Sequence, residues 1–331
     1  MGSNYPLEVI PAAAISAAIE ETPALIVDTT GNSAMAGFLK KLHAHSKYKL
    51  YYTRLGINQL AKTQKLANGL GIKTIVLCRE KIPGLSTILP KDNFTASLIS
   101  PGSSLSEDNV PKIVIERETL IDFSYIGYQS YRTNPLYLQE LNNRYFEDLR
   151  LGVFRQENAL AEPLIRSKEY TFLDLRSVRI SDFPNNPLNL PNGLYAHEVC
   201  QIARYIGMSQ KLKTLFIYGI PSELKSNLAS GELTAEIIWH VVEALSANID
   251  EDLESNAKDE LFLRKIVSMG NDGQELIFVT SRATGRWWME VPNIKLSKNV
   301  AVPCSYSDYT TACSGDVPMR WLFFFQKLNP N

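Results

Sequence analysis

From Ala24 onward the chain alternates short, uniformly apolar runs with amphipathic stretches about a dozen residues long, and no other feature limits its possible folds so strongly. ALIVDTT, NSAMAGFLKKLHAH, KLYYTRLG, NQLAKTQKLANGLG and KTIVLC read in turn as strand, helix, strand, helix and strand. A strand that is apolar at every position must be covered on both faces, and strands separated by helices return in parallel. DFSYIGYQS, YTFLDL and TLFIYGI continue the strands. Between them the pattern predicts a long helix from Pro135 to about Gly152, a second near Glu157 to Arg166, and the helices NGLYAHEVCQIARYIGM and LTAEIIWHVVEALSANI. The expected fold class is α/β, a three-layer α/β/α, doubly wound parallel sheet over residues 1–250. Between Glu80 and Thr119 several prolines and a Gly-Ser-Ser group interrupt the periodicity, which predicts a loop or an insertion.

After Asp250 the character changes. LFLRKIVSM reads as a helix or a strand, and QELIFVTSR and RWWMEVP as strands, with Asn271-Asp272-Gly273 supplying a hairpin turn. Residues 251–331 are expected to form a C-terminal extension packed on the same domain.

The balance of 34 Lys and Arg against 35 Asp and Glu gives no overall charge to draw nucleic acid or an anionic membrane. The N-terminus lacks the basic start of a secretory signal and no run reaches membrane-spanning length, so the expected location is cytoplasmic. Cys78, Cys200, Cys304 and Cys313 are far apart and without zinc spacing, and read as buried or free thiols. His43 and His45, one residue apart on an expected helix, point to different faces and make a poor metal pair; His240, inside IIWHVVEAL, reads as a core histidine. Gly-x-Ser-x-Gly, the phosphate-binding P-loop pattern and a strand followed by Gly-x-Gly-x-x-Gly are all absent.

The stretch from Asp122 through Met208, with DFSYIGYQSY, NRYFEDLRLG, FLDLRSVRISD and PNGLYAHEVCQIARYIGMS, resembles bacterial arginase-like and formimidoylglutamase-like members of the ureohydrolase superfamily. RWWMEVP, VPCSYSDYTTAC and VPMRWLFFFQKLN resemble the extension of one bacterial branch of it. The resemblance implies the α/β/α fold, homo-oligomers, and a pair of manganese ions activating a hydroxide for attack on a guanidino or formimino carbon. It also implies six metal ligands from three motifs at strand ends: Gly-Gly-x-His-Ser after one strand, Asp-Ala-His-x-Asp after the next, and Asp-x-Asp after a later one.

Aligned by chain order, the third motif falls on Asp174-Leu175-Arg176, where one carboxylate is kept and its partner is a guanidinium. The second falls on Arg79-Glu80-Lys81-Ile82-Pro83, with Arg79, Lys81 and Pro83 in place of Asp, His and Asp; the first puts Asn58 in the histidine position. Hard divalent cations need several oxygen anions, so this set predicts no manganese centre and hence no cofactor. Arg79, Lys81 and Arg176 instead act either as internal cations paired with Asp174 and Glu198 or as a site for a small anionic metabolite. Glu198 matches the family glutamate that contacts substrate, with His197 beside it; a carboxylate in a helix's first turn is equally at home for dipole reasons alone. The first expectation is a non-hydrolytic binding or structural relative. The alternative is an active hydrolase of C–N bonds in linear amidines or guanidines, its metals held by residues such as Asp28, Asp174 and Asp182.

Overall fold

The computed structural model describes residues 6–17, 22–32, 34–45, 49–103, 109–222, 224, 228–247, 249–251, 253, 260–269 and 274–330. Among them nine parallel strands form one sheet: β1 (Leu7–Val9), β2 (Ala24–Asp28), β3 (Leu50–Arg54), β4 (Lys73–Leu77), β5 (Phe94–Ile99), β6 (Leu120–Tyr128), β7 (Glu147–Arg150), β8 (Tyr170–Asp174) and β9 (Thr214–Tyr218). Their order across the sheet is β1-β3-β2-β4-β9-β8-β5-β6-β7.

The apolar runs divide between two cores because successive side chains on a strand point to opposite faces. Ala24 and Ile26, Ile75 and Leu77, Leu215 and Ile217, and Leu173 enter one core, which is covered by α1 (Met35–Leu39) and four later helices. Leu25 and Val27, Val76, Phe216 and Phe172 enter the other, under α2 (Ile57–Gly69), α3 (Leu85–Ile88), α4 (Val110–Ile115) and α5 (Pro135–Asn143). The four completing the first face are α6 (Leu151–Gln156), α7 (Ala161–Arg166), α8 (Ala196–Gly207) and α9 (Leu228–Ser246). The expected three-layer α/β/α class is the one observed.

Three expectations for individual elements are corrected. The segment from Glu80 to Thr119 contains β5, which lies inside the sheet between β8 and β6 with Ala96, Leu98 and Ile99 fully buried. The stretch from Pro135 to Gly152 is not one helix: α5 ends at Asn143, Tyr145 takes a positive φ of 53°, and β7 follows before α6. Glu147 and Leu149 face inward while Asp148 and Arg150 face solvent, an alternation that fixes a strand and defeats a helix. His43 and His45 lie beyond the end of α1 in an exposed segment, not on a helix.

LFLRKIVSM resolves as a strand. A four-stranded antiparallel sheet contains β10 (Phe262–Met269), β11 (Gln274–Ser281), β12 (Trp287–Asn293) and β13 (Lys298–Cys304), followed by α10 (Tyr306–Cys313) and α11 (Met319–Leu328). The turn Asn271-Asp272-Gly273 lies outside the described residues. This layer has its own core around Phe278, Met289, Val291 and Trp321. It is bolted to the parallel sheet through buried charge. Arg320 donates to Glu147 Oε1 at 2.6 Å, to the Pro303 carbonyl at 2.6 Å and to the Pro163 carbonyl at 3.1 Å, and Lys327 reaches Asp122 Oδ1 at 2.6 Å. No helix among the described residues is long and apolar enough to cross a membrane.

Candidate functional site

The carboxyl ends of β4, β9 and β8 lie side by side and carry Arg79, Gly219 and Asp174. Open α/β sheets present their loops for chemistry at this edge. Asp174 and Arg176 close on each other there. Oδ1 of Asp174 accepts from Nε of Arg176 at 2.8 Å and from its backbone N at 3.0 Å, and Oδ2 accepts from Nη2 at 2.8 Å. The fork is bidentate and nearly buried, with the carboxylate side chain 3% exposed and the guanidinium 24%. Burial alone would pull the guanidinium down, but the Asp174 charge outweighs it and holds Arg176 firmly protonated. Gly219, at φ 81°, makes the turn beside the pair; a Cβ there would stand 3.0 Å from Asp174 Oδ1 and 3.0 Å from Arg176 Cγ, so only glycine fits.

Arg79 does not join that pair. Its Nε donates to the Thr30 carbonyl at 2.6 Å, while its own carbonyl accepts from Gly219 N at 2.6 Å. Arg79, Glu80 and Lys81 line an open cleft of about 700 Å³ together with Asn185, Pro187 and Ser222. Pro83 follows on the loop into α3 and does not line the cleft. Asn58 is exposed in the first turn of α2, after β3. Three strands separate β3 from β8, which at ~4.8 Å per strand puts Asn58 on the order of 19 Å from Asp174. A single metal centre cannot span that distance, so Asn58 is excluded from a shared site with Asp174. Arg79, Lys81 and Pro83 follow β4, itself separated from β8 by β9.

Glu198 is buried at the start of α8 with both oxygens engaged: Oε1 accepts from Arg155 Nε at 3.1 Å and Oε2 from the backbone N of Tyr195 at 2.7 Å. It therefore caps its own helix. His197 is exposed, its ring 5.6 Å from that of Tyr195. Tyr195 in turn lies between the guanidiniums of Arg155 and Arg179, at 4.2 and 4.1 Å. The other carboxylates considered from sequence are also occupied, and apart. Asp28, three strands from β8, accepts from Thr30 N, Thr30 Oγ1 and Tyr52; Asp182 accepts from Arg179 Nε at 2.7 Å and from Ala196 N at 2.9 Å. Cys78, at the end of β4, has its thiol pushed up to about 12 by burial and is no nucleophile.

On the other side of β8, further residues at this end of the sheet come from β5 and β6, and chain-order reasoning missed them. Ser100 and Ser103 follow β5; Gly127, Gln129 and Tyr131 end β6 and begin its loop. Gln129 is buried, donates from Nε2 to the Asn192 carbonyl at 2.6 Å and accepts from Tyr131. Beneath them stand the buried phenols Tyr125 and Tyr218, neither hydroxyl in a well-aligned hydrogen bond among the described residues. Burial raises both well above the ordinary tyrosine value, and the negative charge of Asp174 adds to it. No residue type in the linear sequence marked these positions, since Gly127, Gln129 and Tyr131 carry neither a carboxylate nor an imidazole.

No family model and no curated protein sequence matches this chain. Solved structures do. Formiminoglutamase of Trypanosoma cruzi, solved with Mn2+, superposes with a TM-score of 0.62 at 14% identity, covering 72% of this chain and 98% of that one. Formimidoylglutamase of Bacillus subtilis gives 0.62 at 12% identity, over 75% of this chain and 94% of its own. The fold is ureohydrolase-like. Agmatine ureohydrolase of Thermoplasma volcanium superposes more loosely, at 0.53 and 14% identity over 68% of this chain and 90% of that one. On this ureohydrolase-like frame, the side chains gathered at the sheet's carboxyl edge among the described residues do not suit a dinuclear manganese centre. The set is one carboxylate already bound by a guanidinium, together with amide, hydroxyl and phenol groups. Among the described residues no cluster of three or more His, Cys, Asp or Glu side chains is placed to hold a metal ion.

Proposed function

We propose that this chain is a non-hydrolytic relative of the ureohydrolases, a binding or structural protein in which an internal ion pair stands where the family keeps its metals. The Asp174–Arg176 fork carries this reading: the motif carboxylate keeps its position on β8 while its charge is spent on a guanidinium two residues on. Sheet order supports it. The first two motifs follow strands that are consecutive in the chain and must be neighbours in the sheet; β3 and β4 have β2 between them, whereas β5 and β6 pair directly, with β5 beside β8. The first two family motifs then correspond to Ser100-Pro101-Gly102-Ser103-Ser104 and Gly127-Tyr128-Gln129-Ser130-Tyr131, in place of the assignments to Asn58, Arg79, Lys81 and Pro83. Serine stands for one histidine, glutamine for the other, and glycine and tyrosine for two aspartates.

The cleft floored by Arg79 and Lys81 is the ligand site in this reading, for a small anionic metabolite. The chain acts as a cytoplasmic homo-oligomer. Metal analysis of the purified protein, paired with thermal melts in Mn2+ and in chelator, tests the proposal. The expected result is sub-stoichiometric manganese and the same Tm in both. Near-stoichiometric metal with a raised Tm overturns it, because a ligand specific to the folded state must stabilise that state.

A further inference from the structure

At the opposite, amino end of the strands, a second cleft of about 770 Å³ opens between the parallel sheet and the C-terminal layer. Ser167 before β8 and Lys211 before β9 form one side; Trp288, Val302 and Phe324 of the C-terminal layer form the other, and Arg166 reaches into the seam between them. Arg166 is 6% exposed, with its guanidinium 4.3 Å from the Trp288 ring. Only its Nη2 is well bonded, to the Trp287 carbonyl at 2.7 Å. Glu162 Oε1 lies 3.1 Å from Nε without hydrogen-bond alignment, and Nη1 is buried with no partner among the described residues. Arg286 shares the same carboxylate at 3.8 Å.

Among the described residues the ion pairs of this seam set Arg166, Arg286, Lys168 and Lys327 against Glu162, Glu251 and Asp122. Glu251 is engaged by Arg286 Nη1 at 2.8 Å and Thr284 at 2.5 Å, and Asp122 is held by both lysines. Burial pulls the Arg166 guanidinium down from its ordinary value, with Arg286 adding to the effect and Glu162 opposing it. Lys211 adds a further positive charge on the wall, and Asp250 stands at the rim.

We propose that this cleft binds a small organic acid, a single carboxylate on an apolar body. The acid group lies towards Arg166 and Lys211, and the body against Trp288, Val302 and Phe324. The buried guanidinium edge of Arg166 that has no hydrogen-bond partner among the described residues matches a single carboxylate, and the apolar wall supplies the rest of the contact. The site is separate from the Arg79 cleft and does not depend on the absence of metal.

Calorimetric titration of the full chain with phenylacetate and hexanoate, and with the neutral isostere phenylacetamide, tests this. Saturable binding of at least one acid in roughly the millimolar range, about tenfold tighter than the amide, is expected. Lys211→Glu, at an exposed position, should weaken it about tenfold, and Ala301→Trp should block the cleft sterically without touching its charges. Arg166→Met should abolish acid binding; should that variant fail to fold, the other two decide. Arg79→Ala should change nothing. Absence of saturable binding by either acid overturns the proposal. So does equal binding of acid and amide, or binding that survives Ala301→Trp but is lost in Arg79→Ala, which would place the ligand in the other cleft.

Discussion

Among the described residues Asp174 is the carboxylate paired with Arg176, so its removal tests how much the fork supports the fold. Asp174→Ala leaves a largely buried guanidinium without its counter-ion and removes the acceptor for the Arg176 amide. Because Arg176 keeps a quarter of its exposure, water recovers part of the loss, and we expect a cost of roughly 2–3 kcal/mol in urea unfolding. An unchanged midpoint would show the pair to be incidental. A second residue sets the acid limit. Burial opposes the charge on Asp122, but Lys168 and Lys327 together outweigh it and hold the carboxyl well below the usual aspartate range. Lys168, fully buried and sharing that one carboxylate, is pulled down instead, burial being its largest influence. A carboxyl depressed in the folded state contributes stability that is complete above about pH 4 and is lost as pH falls through the lower folded-state value. Urea midpoints measured from about pH 6 down to about pH 2.5 should fall more steeply for the natural chain than for Asp122→Asn. Parallel curves would remove Asp122 from the account.

Helices α8 and α9 pack through Gly207, where a Cβ would collide with the Val241 carbonyl and the Ala244 side chain. Gly207→Ala would ordinarily favour a helix, yet here it must push the two helices apart. We expect a net loss of roughly 1–3 kcal/mol, and a gain in Tm would contradict the close approach. Elements also show how far sequence reading reaches. The strands β2, β4, β8 and β9 were legible because burial on both faces leaves few polar positions, a signal independent of neighbours. β5 was not, since its six residues sit among prolines and a Gly-Ser-Ser group that mark loops, and only the sheet on either side makes it a strand. β7 is four residues long, too short for its alternation to stand out from the helix before it. The site suffered in the same way at one remove. Asp174 was found from its own strand, but Gln129 and Ser103 were missed because motif placement followed chain order, whereas contact follows sheet order. Nothing in a linear sequence states that β8 lies beside β5.

For the whole molecule, the buried bonds of Arg320 and Lys327 link the C-terminal layer to β6, β7 and the sheet they belong to. In a Trp239→Phe variant, which removes the tryptophan of α9, Trp287, Trp288 and Trp321 report on that layer, while far-UV circular dichroism reports mainly on the helices of the other. The two signals should change at the same urea concentration; separate transitions would show two independent folding units. Sheet order carries a further consequence, for synthesis. β9 lies at the middle of the sheet between β4 and β8, yet it is the last of the nine strands to leave the ribosome. Until residues 214–218 emerge, β1 to β4 and β5 to β8 are two half-sheets, each with an apolar, unpaired edge where β9 will insert. The nascent chain carries one adhesive border from the completion of β4 and a second from the completion of β8 until β9 arrives, so its yield in the cell depends on how quickly that late strand arrives relative to the first wrong encounter between chains.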